Sequence, residues 1–293
     1  MVGERGWRKT GWVLLFLLPS LSGLAVFSLT PIVASLGLTL FDWDLLTPPR
    51  FIGLDNFAEL FASDDFWAAL GHTLYFIAGY IPLVLVLALG LALILNQKLR
   101  GIMLYRAAFY LPVVSAWVAV ALLWKWIFNP KFGLVNYLLG LIGIVGPGWL
   151  FDPNWAMPAI ILTSVWKDIG FVMVMFLAGL QGIPADYYEA AAIDGADRWQ
   201  SFWSITRPLL APTTFFALII SLINSFQVFD QVWIMSGGGP AGATTVLVEQ
   251  IVKNAFSYSR MGYASALSWV LFLLVFAATA VQMRLQQTWV AYE

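Results

Sequence analysis

The chain has 293 residues, of which 61% are hydrophobic and 11% charged, with a formal net charge of -1 and a mean hydropathy of +0.83. That apolar share exceeds the roughly half found in soluble domains, so an all-α polytopic membrane protein is expected. With no basic surplus to neutralise phosphates, a nucleic-acid partner is excluded, and the absence of cysteine beside a single histidine, His72, removes thiol chemistry and most metal chemistry.

Six apolar runs approach the ~20 residues needed to cross a bilayer core. They cover 12–36, 73–95, 107–128, 156–180, 209–234 and 263–283. The first follows Arg5, Arg8 and Lys9 as a signal peptide would, but it is long and lacks a small-residue cleavage site before Phe41-Asp42-Trp43-Asp44, so it reads as a retained anchor. After it, 41–71 alternates acids (Asp42, Asp44, Asp55, Glu59, Asp64, Asp65) with aromatics (Phe51, Phe57, Phe61, Phe66, Trp67) and reads as a folded external cap. His72 is expected to start the second span at the interface rather than to act as ligand or base.

With the amino terminus inside, nine cations fall on the cytoplasmic side: Arg5, Arg8, Lys9, Lys98, Arg100, Arg106, Arg198, Arg207 and Arg284. Arg50, Lys131, Lys253 and Arg260 fall outside. The asymmetry follows the positive-inside rule and makes both termini cytoplasmic. A seventh span at 132–150 would change the count only to eight against five. Five glycines and Pro147 in that stretch favour an interfacial or re-entrant piece instead. Trp124-Lys125-Trp126 reads as an aromatic belt with a snorkelling lysine.

Polar residues at mid-membrane need protein or water to face. In the fourth span Ser164, Asp168 and Phe171 share a side by helical spacing, next to Lys167; in the fifth, Ser221, Asn224, Ser225 and Val228 share a face with Gln227 on its flank. Hydroxyls, amides and an aromatic ring at that depth suit a neutral polyol, and interhelical hydrogen bonding is the competing reading. Asp230 is expected nearly opposite that face, in a structural role. Gly262, Ser265, Ala266 and Trp269 form a small-residue stripe on the last span, suited to close helix packing.

Between the fourth and fifth spans lies Glu189-Ala190-Ala191-Ala192-Ile193-Asp194-Gly195-Ala196, continuing to Ile205-Thr206-Arg207-Pro208. Pro184 can start a short helix, Gly195 can take the left-handed turn that ends it, and Pro208 constrains the chain at the far end, so 184–208 is expected to form a helix-turn-helix elbow. Tyr187, Ala190, Ala191 and Asp194 fall on one face of its first helix; Trp199, Phe202 and Trp203 fall on one face of its second. Small residues let a partner approach, and Glu189 offers it a carboxylate.

At these residues the chain resembles the permease subunits of binding-protein-dependent ABC importers, whose pattern is an EAA triplet, a glycine four residues after its last alanine and a downstream Ile-x-x-Pro. Asp194-Gly195-Ala196 with Ile205-Thr206 is similar to the carbohydrate branch, which includes maltose-type, multiple-sugar and glycerol-3-phosphate permeases. Arg207 stands where that branch usually has leucine. Gly53-Leu54-Asp55-Asn56-Phe57 and Gly237-Gly238-Gly239-Pro240 resemble the same branch, the latter as an outer loop meeting a solute-binding protein.

The resemblance implies a type I importer fold with six transmembrane helices. It implies an N-terminal helix and cap over 1–70, followed by a permease domain over 71–285. It further implies a second permease subunit, two cytoplasmic ATP-binding cassette subunits, an external solute-binding protein and a multi-pass location in a bacterial or archaeal inner membrane. Glu189, Ala190, Ala191, Asp194, Gly195, Ile205 and Pro208 would couple to the ATPase. The chain has no Walker A sequence, so ATP and Mg would sit on the partner, with no cofactor or catalytic residue here. The maltose-type permease uses the corresponding two helices for its sugar, which directs the solute path to the polar faces of the fourth and fifth spans. A secondary transporter for a small polar solute is the alternative, though no inverted repeat stands out. An intramembrane hydrolase would need a base for its serine.

Overall fold

The computed structural model describes residues 7–97 and 100–289, with side chains described over 11–97 and 100–286. Arg5 and Lys98, counted above among the cytoplasmic cations, lie outside the described residues, as do the side chains of Arg8 and Lys9. The described residues divide into two compact units, one within 1–63 and 251–270 and the other within 64–250 and 271–293.

In the first unit the Trp7–Leu24 helix continues through a π turn at Ala25–Leu29 into Thr30–Leu38. Phe41–Asp42 then pairs antiparallel with Arg50–Phe51, and the Asp55–Ala62 helix follows. The buried Asn56 side chain binds this cap together, donating to the carbonyls of Thr39 (2.8 Å) and Phe41 (3.0 Å). Asp44 accepts the backbone N–H groups of Thr47 and Leu46 and the Thr47 hydroxyl, and the Thr47 N–H foremost holds its carboxyl below the usual range. The small-residue stripe is the packing face of this unit. A Cβ at Gly262 would collide with the Phe41 carbonyl, Ala266 is fully buried, and Trp269 Nε1 donates to Ser35 Oγ at 3.2 Å.

The second unit is organised around two long helices, Asp64–Leu95 and Pro153–Gln181. Phe76, Tyr80, Val84, Ala88 and Ala92 recur every four residues on one face of the first and are buried in a common core with Ile160, Val165, Val172, Met173 and Phe176 of the second. Glycines set the approach. Gly79 leaves room for the Ile161 side chain, and Gly170 lies against the Phe109 carbonyl, where a Cβ has no space. Asp152 caps the second helix by accepting the Asn154 N–H at 2.8 Å, with Pro153 in the first turn.

Among the described residues, four helical stretches are long and apolar enough to cross a bilayer: Gly11–Leu38, Asp64–Leu95, Pro153–Gln181 and Met261–Gln286. Two bent pairs raise the number to as many as six. Ile102–Val114 meets Trp117–Ile127 at 99°, and Arg198–Leu209 meets Ala211–Phe226 at 62°. The expected continuous third span is therefore broken. Pro112 removes a backbone donor, and Ser115 and Ala116 are both extended. The stretch at 132–150 holds only an eight-residue helix, Leu134–Leu141, and a short 3-10 turn, so it is too short in helix to span. Trp149 Nε1 donates to Asn136 Oδ1 at 2.6 Å, and the Trp149 ring packs on Phe128 and Trp155.

His72 does not start its helix, which begins eight residues earlier at Asp64. The acids Asp64 and Asp65 occupy the first turn, where the helix dipole favours them, so the helix runs well past the apolar segment. His72 Nδ1 lies 3.0 Å from the Thr245 carbonyl, which can only accept, so this nitrogen carries the proton. Thr73 Oγ1 accepts the Leu247 N–H at 3.1 Å, anchoring the same loop.

Candidate functional site: a helical elbow and a polar cavity

The elbow forms as its sequence dictates. Pro184 is extended and precedes the Ala185–Ile193 helix, whose end is turned by Gly195 at φ +80°. The N–H of Ala196 reaches the Ala191 carbonyl at 2.9 Å and that of Gly195 reaches Ala192 at 3.2 Å, the paired bonds of a Schellman turn. Asp197 and Gln200 then form a reciprocal capping box that starts Arg198–Ser201. The second arm continues through a π turn at Phe202–Thr206 into Arg207–Leu209, which contains Pro208.

Trp199, Phe202 and Trp203 pack on one another with centroids 5.4–6.1 Å apart, as their spacing requires. Arg207 adds its guanidinium over the Trp203 ring at 5.0 Å, a use for the residue that departs from the usual leucine. Tyr188 Oη and Thr206 Oγ1, 3.0 Å apart, tie the two arms together. A cavity of about 590 Å³ opens beside them, lined by Leu93, Tyr188, Ala192, Ala196, Asp197, Arg198, Trp199, Ser201, Phe202 and Thr206. Glu189, Ala190 and Asp194 are exposed, and Ala191 and Ile205 are half-buried.

The second feature is a polar cavity of about 280 Å³ lined by Trp117, Asp168, Asn224, Gln227, Val228, Phe229, Asp230 and Gln231. Of the residues expected on the solute path, it brings together Asp168, Asn224, Gln227 and Val228. Their placement comes from a break in the chain. The Ala211–Phe226 helix ends at Phe226, Gln227 and Phe229 leave helical geometry, and a new helix runs from Asp230 to Met235. Val228 therefore does not continue the face of Ser221, Asn224 and Ser225 but lies beyond that helix. The same break corrects the expectation for Asp230, which is exposed and lines the cavity instead of pointing away from it.

The remaining candidates do not line the cavity. Ser164 is fully buried, donating to the Ile160 carbonyl at 2.9 Å and accepting from Gln231 Nε2 at 3.3 Å. Ser225 is buried and donates to the Leu222 carbonyl at 2.9 Å, and Ser221 is buried as well. Phe171 is 39% exposed and does not line the cavity, although it shares a side of the unbroken Pro153–Gln181 helix with Ser164 and Asp168. Lys167 is buried, donates from Nζ to the Val113 carbonyl at 3.2 Å and sits 4.8 Å from the centre of the Trp117 ring. Asp168 accepts the Tyr80 hydroxyl at 3.0 Å. Sequence reading missed Tyr80, Trp117, Phe229, Gln231 and the cavity role of Asp230; the density of polar residues from Asn224 to Gln231 was the signal for the last three.

The arrangement joins a surface able to receive a protein partner with a cavity able to hydrogen-bond a small polar molecule. The chain is 41% identical over 283 residues to the probable ABC transporter permease protein YesP of Bacillus subtilis (strain 168), covering 95% of this chain and 91% of the relative. It is 36% identical over 271 residues to the trehalose/maltose transport system permease protein MalF of Thermococcus litoralis, covering 92% of each. Among solved structures it is similar to a chain of a bacterial alginate ABC transporter in complex with an alginate pentasaccharide-bound periplasmic protein. There the TM-score is 0.83 at 28% identity, with 97% of this chain and 99% of that chain covered. Residues 85–290 match the family described as binding-protein-dependent transport system inner membrane component, and with relatives this similar along nearly its whole length, the chain belongs to that family.

Proposed function

We propose that this permease forms one half of the translocation path of a carbohydrate importer and converts ATP hydrolysis by a partner into alternating access. The observation that carries the reading is the elbow: a Gly195-turned pair of short helices that presents Glu189 and Ala190 to solvent beside an aromatic cluster of exposed Trp199 and Trp203 with half-buried Phe202. An exposed carboxylate on a small-residue surface suits docking into a cleft of a cytoplasmic ATPase, where a basic residue would pair with it. The relatives named for trehalose/maltose and alginate transport support a saccharide as cargo, and the alginate complex supports an external binding protein as its donor.

In this reading the bent pair Ile102–Val114 and Trp117–Ile127 crosses the membrane once, and Ala211–Phe226 crosses it once with the elbow arm Arg198–Leu209 at its cytoplasmic end, for six spans in the type I importer arrangement with both termini cytoplasmic. A second permease subunit completes the path, and two ATPase subunits bind ATP and Mg. The protein is then a multi-pass component of a bacterial or archaeal inner membrane. Uptake into vesicles containing the assembled complex tests this. Accumulation that requires both ATP and the binding protein is expected. Accumulation driven by an ion gradient without ATP would overturn the reading in favour of a secondary transporter.

A further inference from the structure

The charge composition of the polar cavity bears on which saccharides can pass. Among the described residues lining it there are two carboxylates, Asp168 and Asp230, and three carboxamides, Asn224, Gln227 and Gln231, but no lysine or arginine. The one cation near Asp168 in sequence is withdrawn. Lys167 is 6% exposed, and its ammonium is held by the Val113 carbonyl and the Trp117 ring instead of lining the cavity. Asp168 is in turn fixed by the Tyr80 hydroxyl, and Gln231 by Ser164 Oγ, so the polar groups are positioned by protein on at least two sides. Two aromatic residues, Trp117 and Phe229, complete the lining.

Each group in this set suits an uncharged polyhydroxyl solute. A hydroxyl both donates and accepts, so it can donate to a carboxylate and exchange hydrogen bonds with a carboxamide, while aromatic side chains offer an apolar face to ring C–H groups. A uronate or phosphate offers mainly acceptors. It would face acceptor-only carboxylates with no cation to bridge them, and like charges held at close range select against the wrong ligand. At about 280 Å³ the cavity is just below the roughly 300–1,000 Å³ typical of small-molecule sites, so a charged group inside it stays close to both acids.

We propose that Asp168 and Asp230 make this cavity an anion-excluding site that passes neutral saccharides and rejects acidic or phosphorylated ones. The proposal rests on the carbohydrate-importer reading and adds to it the charge class of the cargo and the residues that impose it.

Uptake of maltotriose and of trigalacturonate, a neutral and an acidic trisaccharide, by vesicles holding the complete importer and its binding protein tests it. The quantity read is the acidic-to-neutral uptake ratio of each variant divided by that of the wild type. The same binding protein is present in every arm, so its own preference cancels. The ratio is expected to rise at least tenfold for Asp168→Asn with Asp230→Asn, and at least threefold for Asp230→Asn alone, whose exposed position does not involve the Tyr80 bond. Unchanged ratios in both variants while maltotriose is taken up would overturn the proposal and leave the carbohydrate reading standing. So would a wild type that takes up both trisaccharides equally. If neither moves through an assembled complex that hydrolyses ATP, the carbohydrate reading itself fails and the proposal fails with it.

Discussion

Lys167 Nζ donates to the carbonyl of Val113 across 3.2 Å, at the point where the Ile102–Val114 helix ends and the chain turns by 99°. The last carbonyls of a helix have no intrahelical donor, and one that is buried away from water needs another. Lys167 supplies it and also lies against Trp117, the first residue of the helix after the turn. A cation expected on the solute path is thus used to hold a broken membrane segment.

Replacing it with methionine keeps the apolar stem but leaves the Val113 carbonyl without its donor, at a cost of about 1–3 kcal/mol. Lys167→Met is expected to lower the Tm of the detergent-purified complex. An unchanged Tm accompanied by an altered KM for solute would instead place Lys167 on the path.

Asn224 and Ser225 are adjacent in sequence but differ in surroundings: the first lines the cavity, while the second is 1% exposed and bonded to Leu222. Asn224→Leu should remove one hydrogen bond to solute, worth about 0.5–1.5 kcal/mol, and reduce uptake roughly two- to tenfold in an assembled complex. Ser225→Leu should overpack the core by about 1–3 kcal/mol and reduce the yield of the complex itself. Equal behaviour of the two variants in a gel-filtration and uptake comparison would refute the assignment.

The six-span reading puts Asn154, beside the Asp152 cap, and Ser204, on the elbow, on opposite sides of the membrane. Both are exposed, and the chain has no native cysteine to confuse the result. Single cysteines at these positions should react with an impermeant maleimide from opposite faces. Labelling of both from one face would require an odd number of crossings to be gained or lost between them.

The elbow was legible in the sequence because its punctuation is local. Pro184, Gly195 and the aromatic triplet each specify their own turn of chain without help from tertiary contacts, while the capping box of Asp197 and Gln200 was passed over. The cavity was legible only in part. Asn224 to Asp230 contains neither glycine nor proline, so nothing in the periodicity marks the break after Phe226, and extending the helix through it reversed the direction assigned to Asp230. The third span shows the same limit. Pro112 lies close to the break, but the 99° bend also takes in the extended pair Ser115 and Ala116 and a hydrogen bond from Lys167, which is distant in sequence. His72 was misplaced because hydropathy finds the apolar segment of a helix, while its start is set by the polar residues Asp64 and Asp65.

An elbow that transmits ATP hydrolysis must keep the left-handed turn at Gly195. At φ +80° a side chain is strained by about 1–2 kcal/mol, yet nothing lies within 4 Å of the position a Cβ would take, so the constraint is conformational and not steric. Asparagine tolerates this region and valine does not. Co-purification of the ATPase and solute-stimulated ATP hydrolysis should therefore be retained in Gly195→Asn. Both should be lost in Gly195→Val, as in Glu189→Lys, where the exposed carboxylate is reversed. Normal ATPase retention and normal stimulation in both Gly195→Val and Glu189→Lys would contradict the account.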